Sequence, residues 1–262
     1  MPAGTISPKT ISDRILYLDA GNTRIKAAIH ELGVWKSMGA FNYDELDGET
    51  SGKTGLTDKL VDLCKDFYAI VLVSVKRRLQ AGDLEKKIRA EVIGIDRQIL
   101  TPDKHRYRTP ETLGIDRYLA CLGAWSFDRA VPNAVIVTDA GTACTVDAMD
   151  AMGVYHGGVI MPGVRMLIDV LGHGADGLFP VSPEIPESWP PDSTTTALQA
   201  GTAGTFLAAW EAHVRHLKSV FPNANIWLTG GDAGFLKRHS EIHCLTNDFL
   251  VFEGMRHWFE HS

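Results

Sequence analysis

The chain has 262 residues, of which 45% are hydrophobic and 22% are charged, and its formal net charge at pH 7 is -6. This much apolar sequence can bury the core of one large domain or of two smaller lobes. The negative balance disfavours the basic surface by which proteins usually bind nucleic-acid phosphates, and no run approaches the roughly 18 apolar residues of a membrane span. We therefore expect a globular protein that binds neither nucleic acid nor a membrane.

The N-terminal residues 1–13 are rich in proline, threonine and serine and lack the apolar stretch of a signal peptide, which predicts a mobile tail. The four cysteines are too widely spaced for a CxxC pair or a zinc site. Reduced thiols therefore fit this chain best, and with them a cytoplasmic location.

The first half of the chain reads as three strands followed by alternating helices and strands. Three short runs separated by tight turns predict an antiparallel meander, and the continuous apolar run at 69–73 is typical of a central parallel strand. The predicted strands span 15–19, 24–30, 34–41, 69–73 and 97–100, and the predicted helices span 54–66, 76–91 and 115–127. The order is βββαβαβα.

The second half repeats this order. Its predicted strands span 134–139, 144–149, 154–160, 226–229 and 242–245, and its predicted helices span 164–171, 195–220, 233–239 and 247–259. The sequence Asp-Ala-Gly begins at Asp19 in the first half and at Asp139 in the second, after the first strand of each. A duplicated α/β architecture explains this recurrence. We expect two lobes, 14–120 and 121–262, with a ligand-binding cleft between them.

Each Asp-Ala-Gly turn has the composition of a phosphate-binding loop. Gly21 and Gly141 permit a sharp turn and a close approach of the main chain to a ligand. The amides that follow, with the hydroxyls of Thr23 and Thr142, can donate to phosphate oxygens. A single copy is well explained as an ordinary hairpin turn, but two copies at equivalent places favour a functional role.

The carboxylates that open the two turns would repel phosphate unless a cation lies between the carboxylate and the phosphate. Asp19 and Asp139 are therefore candidate ligands of Mg²⁺ or another hard cation. Lys26, on the strand that leaves the first turn, can neutralise phosphate charge. Near the C-terminus, Thr229-Gly-Gly-Asp-Ala233 could hold an adenine ring flat against its glycines, or could simply begin a helix with Asp232 as its cap.

A candidate catalytic group stands at the start of the helix predicted at 115–127. Asp116, in Leu113-Gly-Ile-Asp-Arg117, is explained equally well by two interpretations. The helix dipole favours an acidic residue in the first turn. Alternatively, the carboxylate accepts the proton of an attacking hydroxyl, as in phosphoryl transfer, while Arg117 binds an anionic group.

Taken together, these segments resemble the type III pantothenate kinases of the acetate-and-sugar-kinase/Hsc70/actin superfamily. The matching pieces occur in the family's order along the chain. They are Asp19-Ala-Gly-Asn-Thr-Arg-Ile-Lys26, Gly114-Ile-Asp-Arg117, Asp139-Ala-Gly-Thr-Ala-Cys-Thr-Val-Asp147, Gly157-Gly-Val-Ile-Met-Pro-Gly163 and Thr229-Gly-Gly231. The resemblance implies two actin-like (ribonuclease H-like) lobes and ATP-dependent phosphorylation of pantothenate, the first step of coenzyme A synthesis.

The resemblance also implies roles for individual residues. It makes Asp116 the proton acceptor and Asp139 a ligand of a monovalent cation, K⁺ or NH₄⁺, while Asp19 serves the nucleotide and its Mg²⁺. The implied ATP contacts are Asp19, Ala20, Gly21, Asn22, Thr23, Arg24, Ile25, Lys26 and Thr142. The implied pantothenate contacts are Tyr107, Gly114, Ile115, Asp116, Arg117 and Thr194. Family members are homodimers, so a second copy of the chain is the expected partner.

Two alternatives to a pantothenate kinase stay open at this point. One is a non-catalytic regulator that keeps the nucleotide-binding fold, and the other is a different kinase or phosphatase of the superfamily. The intact set of Asp19, Asp116 and Asp139 disfavours the first. One departure from the family is Cys144, which stands where a threonine is common.

Overall fold

The computed structural model describes residues 15–43, 58–75, 79, 81–127 and 133–262, which fall into two compact units. The predicted tail at 1–13 and the start of the helix predicted at 54–66 lie outside these residues. The first unit holds the described residues up to Thr101 together with Thr109–Leu119 and Val251–Ser262. The second unit holds Pro102–Arg108 and the described part of Ala120–Leu250. Each unit is thus built from several chain segments, whereas the predicted division near residue 120 assumes one cut.

The first unit contains a five-stranded mixed sheet. Its strands are β1 (Ile15–Ala20), β2 (Arg24–Glu31), β3 (Val34–Asn42), β4 (Ala69–Ser74) and β5 (Glu91–Ile95). The strand order is β3-β2-β1-β4-β5, with the first three strands antiparallel and β1, β4 and β5 parallel. The predicted meander is therefore confirmed. β1 is buried along its whole length, as its continuous apolar sequence requires of a central strand.

The described helices of the first unit are α1 (Asp58–Cys64), α2 (Ala81–Glu85), the first part of α3 (Ile115–Ser126) and most of α8 (Leu250–His261). Two predictions are wrong here. Residues Arg97–Ile99 form a 3₁₀ turn and not a strand, because the Asp96 carboxylate caps it by accepting from the Gln98 amide at 2.7 Å. The strand lies earlier, at β5, and of the helix predicted at 76–91 the described residues form only the short α2.

The second unit repeats the architecture of the first. Its strands are β6 (Val135–Ala140), β7 (Ala143–Met149), β8 (Tyr155–Pro162), β9 (Asn225–Thr229) and β10 (Leu245–Thr246). The strand order is β8-β7-β6-β9-β10, and the pairing directions match those of the first sheet strand for strand. The duplicated α/β fold expected from the sequence is confirmed.

The helices that lie wholly in the second unit are α4 (Val164–Gly174), α5 (Thr194–Gln199), α6 (Thr205–Val220) and α7 (Ala233–His239). A π-helical turn, Ala200–Gly204, joins α5 to α6, so the long helix predicted at 195–220 exists but is locally widened. Phe206 and Trp210 of α6 are fully buried in the core of this unit. The Trp210 indole donates to the Thr138 hydroxyl at 2.9 Å, which removes the cost of burying both polar groups.

The C-terminal helix α8 is anchored in the first unit by a buried carboxylate. Glu253 accepts a hydrogen bond from the Trp35 indole at 2.8 Å and pairs with Arg256. Burial opposes ionisation of Glu253, but the hydrogen bonds from Arg256 and Trp35 outweigh it and hold the pKa of Glu253 below its ordinary value. Trp35 in turn packs edge-on against Tyr17 of β1, with ring centroids 5.1 Å apart.

Helix α8 also touches α3 at a point of very close approach. A Cβ atom on Gly254 would overlap the Leu119 carbonyl oxygen and would lie 2.7 Å from the carbonyl carbon. Only glycine therefore fits at this crossing. Because α3 begins with the Asp116 segment, the C-terminal helix supports the element that carries the candidate catalytic group. Among the described residues, no helix combines the length and the apolar character that a membrane span needs.

Candidate active site

The first Asp-Ala-Gly turn joins β1 to β2 in a tight antiparallel connection. Asp19 is the penultimate residue of β1, is 6% exposed, and lies opposite Lys26 in the strand register. Directly opposed residues project from the same face of a sheet, with Cβ atoms about 5 Å apart. The carboxylate and the ammonium group therefore share one face, as a site for phosphate and a cation requires.

The rest of this turn has an exposed tip and a buried base. Ala20 and Ile25 are buried, whereas Asn22, Thr23 and Arg24 are exposed. The Tyr43 hydroxyl donates to the Gly21 carbonyl oxygen at 2.9 Å, which braces the turn from the end of β3. Tyr43 carries no sequence signal beyond its aromatic type and is not among the predicted site residues.

The Asp116 segment forms the N-terminus of α3, also in the first unit. Oδ1 of Asp116 accepts the Arg117 amide at 3.0 Å within the first turn of α3, where the helix dipole favours an acidic residue. Asp116 is half-buried. Arg117 is buried, at 8% exposure. The side chain of Arg97 donates to the Leu113 carbonyl oxygen at 2.8 Å and ties the preceding loop to the 3₁₀ turn.

Gly114 packs directly on the Asp116 carboxylate. A Cβ atom at Gly114 would lie 2.6 Å from Asp116 Oδ1, so the carboxylate would have to rotate away. We expect Gly114→Ala to leave the fold intact, because a side-chain end can move, but to lower turnover by about 100-fold through misplacement of the carboxylate. Steady-state kinetics and the thermal unfolding midpoint measure the two effects. Gly94→Ala is the matched control, since its Cβ would make an ordinary 3.6 Å contact; equal turnover in the two variants would contradict the expectation.

The second turn, between β6 and β7, is packed against the start of α4. Asp139 is half-buried at the end of β6 and Thr142 is exposed. The Gly163 amide, just before α4, donates to the Thr142 carbonyl oxygen at 3.0 Å. A Cβ atom on Gly163 would overlap the Gly141 carbonyl oxygen, which explains the glycine at this position.

The Thr229-Gly-Gly-Asp loop lies against the same turn. Gly230 has a φ of +92°, and a Cβ atom there would lie 2.5 Å from both Asp139 Oδ1 and the Ala140 carbonyl oxygen. Asp232 occupies the N-cap position of α7, but its side chain makes no capping hydrogen bond. Its carboxylate instead accepts from Arg165 Nε at 3.0 Å. The interpretation of Asp232 as a helix cap is therefore only half right.

Two residues implied as pantothenate contacts lie in the second unit. Tyr107 is half-buried and its ring covers Gly157, whose φ is +94° and whose Cβ would lie 3.1 Å from the ring. The neighbouring Tyr155 hydroxyl donates to buried Asp147 at 2.8 Å. Thr194 is exposed and follows Ser193, the N-cap of α5.

The carboxylates at the two turns suit a cation that takes its remaining ligands from a bound substrate. Within the described part of the chain, no three His, Cys, Asp or Glu side chains converge as a metal site. Single carboxylates such as Asp19 and Asp139 fit the usual coordination of Mg²⁺, which binds one or two carboxylates together with substrate phosphates. Burial raises the pKa of Cys144 to about 12, so this thiol stays protonated and acts as a small apolar side chain.

The fold is shared with solved structures of actin-like proteins. MreB5 of Spiroplasma citri bound to ADP aligns with a TM-score of 0.52 at 13% identity, covering 97% of this chain and 98% of that one. A Campylobacter jejuni protein described as a Baf family transcriptional activator aligns with a TM-score of 0.57 at 22% identity, covering 94% of this chain and 97% of that one. These likenesses confirm the two-lobed actin-like fold.

Sequence comparison identifies the family. The type III pantothenate kinase of Dechloromonas aromatica is 32% identical over 255 residues, which cover 93% of this chain and 98% of the relative. A sequence model of the type III pantothenate kinases matches residues 15–216. That match takes in both Asp-Ala-Gly turns and helix α3 with Asp116, and so this chain belongs to the type III pantothenate kinase family.

Proposed function

We propose that this chain transfers the γ-phosphoryl group of ATP to the primary hydroxyl of pantothenate, the first step of coenzyme A biosynthesis. The observation that carries the assignment is the family match across residues 15–216, with Asp19, Asp116 and Asp139 all in their expected order. Pantothenate kinase activity follows from membership of the family. The residue roles, cations and assembly described next are the finer parts of the proposal.

Asp116 accepts the proton of the pantothenate hydroxyl. One of its oxygens accepts the Arg117 amide, which orients the carboxylate. A fixed carboxylate orients the nucleophile in phosphoryl transfer, where positioning and charge stabilisation do most of the work. Arg117 adds positive charge beside this group and binds an anionic oxygen.

The phosphate chain of ATP contacts residues 19–26 and Thr142. Support comes from the exposed amides and hydroxyls of the first turn and from Lys26, which stands opposite Asp19 on one face of the sheet. Bound Mg²⁺ would neutralise phosphate charge, with Asp19 as its carboxylate ligand. Asp139 would be the carboxylate ligand of the monovalent cation, K⁺ or NH₄⁺.

Pantothenate contacts residues 114–117, Tyr107 and Thr194. The support is that Tyr107 is held on Gly157 and that Thr194 is exposed in the first turn of α5. We place the protein in the cytoplasm, where its free cysteines stay reduced.

The assembly we propose is a homodimer formed through α4. One face of this helix is buried, through Val164, Ile168 and Gly172. The opposite face also carries apolar side chains, since Val170 is 68% exposed and Met166 is 38% exposed. A helix that is apolar on both faces usually has a second partner. A monomeric mass in light scattering of the intact chain would contradict this assignment.

An acceptor panel tests the function. ATP consumption is measured with pantothenate, with sugars and with no acceptor, each with and without potassium. We expect turnover only with pantothenate, and faster turnover with potassium. Hydrolysis that does not depend on pantothenate, or phosphorylation of a sugar, would favour another enzyme of the superfamily. ATP binding without turnover of any acceptor would favour the non-catalytic regulator.

A further inference from the structure

An arginine without a role in the assignment above lies beside the second Asp-Ala-Gly turn. Arg165 stands in the first turn of α4, and 71% of its side chain is exposed. It follows Gly163 by two residues. The Gly163 amide donates a hydrogen bond to the Thr142 carbonyl oxygen, and Gly163 packs against Gly141. The start of α4 therefore keeps Arg165 next to the turn that we assign to phosphate.

The guanidinium of Arg165 also binds Asp232 of the Thr229-Gly-Gly-Asp232 segment, which we call the glycine loop. Its Nε donates to Asp232 Oδ1 at 3.0 Å, and only 10% of the Asp232 side chain is exposed. The Asp232 amide donates to the Ala140 carbonyl oxygen at 2.9 Å, so this carboxylate is fixed relative to the end of β6. The ion pair uses one of the five N–H donors of the guanidinium and sets its plane.

We propose that Arg165 binds the phosphate chain of the nucleotide and that Asp232 is a positioning residue that orients its guanidinium. The inference rests on the proposed kinase function. A guanidinium whose plane is fixed can offer two parallel N–H donors to phosphate oxygens. Arg165 lies beside both the second Asp-Ala-Gly turn and the glycine loop. An ordinary exposed ion pair would instead add little to stability and nothing to ligand binding.

Calorimetric titration of the full chain with ATP, ADP and adenosine tests this role. We expect Arg165→Gln to weaken binding of ATP and ADP by about tenfold, the loss of one charge-assisted hydrogen bond, and to leave adenosine binding unchanged. Arg215→Gln is the matched control. Arg215 lies in the same unit, its side chain is 65% exposed, and it pairs with Glu211 at 2.6 Å. This control variant keeps wild-type affinity for all three ligands.

The role of Asp232 is tested by a double-mutant cycle. Asp232→Asn alone weakens ATP binding, but it has no further effect once Arg165 has been replaced by glutamine. Unchanged ATP affinity in Arg165→Gln overturns the inference. An equal loss for adenosine also overturns it, because the substitution would then act by displacing the glycine loop.

The same titrations separate this inference from the assignment of the enzyme. A wild-type chain that binds ATP but does not phosphorylate pantothenate would defeat the proposed function, and the affinities would still decide the role of Arg165. A wild-type chain that binds no nucleotide would overturn both.

Discussion

Asp116→Asn is expected to lower pantothenate-dependent turnover by roughly 10²–10⁴-fold, the usual contribution of a general base. The amide cannot accept the hydroxyl proton, whereas the proposed phosphate contacts at residues 19–26 and Thr142 are untouched. ATP affinity measured by calorimetry therefore stays at the wild-type level. A variant that keeps near wild-type turnover would refute Asp116 as the proton acceptor.

The substitution is well suited to this purpose because it preserves the hydrogen bond to the Arg117 amide. An asparagine side chain still presents an oxygen to the Arg117 amide, which Asp116 now binds at 3.0 Å. The lost charge in the first helical turn costs about 0.3–1 kcal/mol. Asp96→Asn is the matched control, because Asp96 also accepts a main-chain amide at the start of a helical turn, that of Gln98. It should show the same small loss of stability and full turnover.

Gly254→Ala is expected to cause a large loss of stability in the first unit. The added methyl group would overlap the Leu119 carbonyl oxygen, and neither backbone can move without separating α8 from α3. Overpacking of this kind typically costs about 1–3 kcal/mol, and more where main chain must shift. The gain of about 1 kcal/mol from replacing a helical glycine offsets only part of this cost. A lower thermal unfolding midpoint is the measurement.

The control for this variant is Gly234→Ala. Gly234 lies in α7, and a Cβ atom there would meet nothing within 4 Å. We expect it to be neutral or slightly stabilising. Because α3 begins beside Asp116, Gly254→Ala should also reduce turnover at temperatures where it is still folded. Equal unfolding midpoints for the two variants would show that the contact between α8 and α3 is not tight.

Elements with a strong apolar pattern were predictable from the sequence. The runs that became β1, β4 and β6 are central and buried, so their apolar content alone determines where they lie. The prediction at 97–100 failed because apolar Ile99 and Leu100 follow a capping residue, Asp96, whose local hydrogen bond outweighs strand propensity. The strand β5, which pairs with β4, was not predicted because it begins with the polar residue Glu91.

The site was predictable only as far as its residue types and their spacing allowed. The Asp-Ala-Gly turns and the Asp116 segment carry rare combinations in a recognisable order. Tyr43, Arg97 and Arg165 carry no such signal, because they act through single contacts with residues distant in the chain. The same holds for Asp232, whose partner became evident only once its carboxylate was seen beside Arg165.

The sequence by itself determined the duplicated βββαβαβα order, the two Asp-Ala-Gly turns and the family, since each depends on local patterns that repeat or keep a fixed order. Only the tertiary structure decided that the C-terminal helix belongs with the first unit, that Gly230 lies against Asp139, and that the Asp232 carboxylate pairs with Arg165 and makes no hydrogen bond to its own helix. Those facts depend on close approach between segments far apart in the chain. Close approach is set by packing, which the sequence pattern of a single segment does not record.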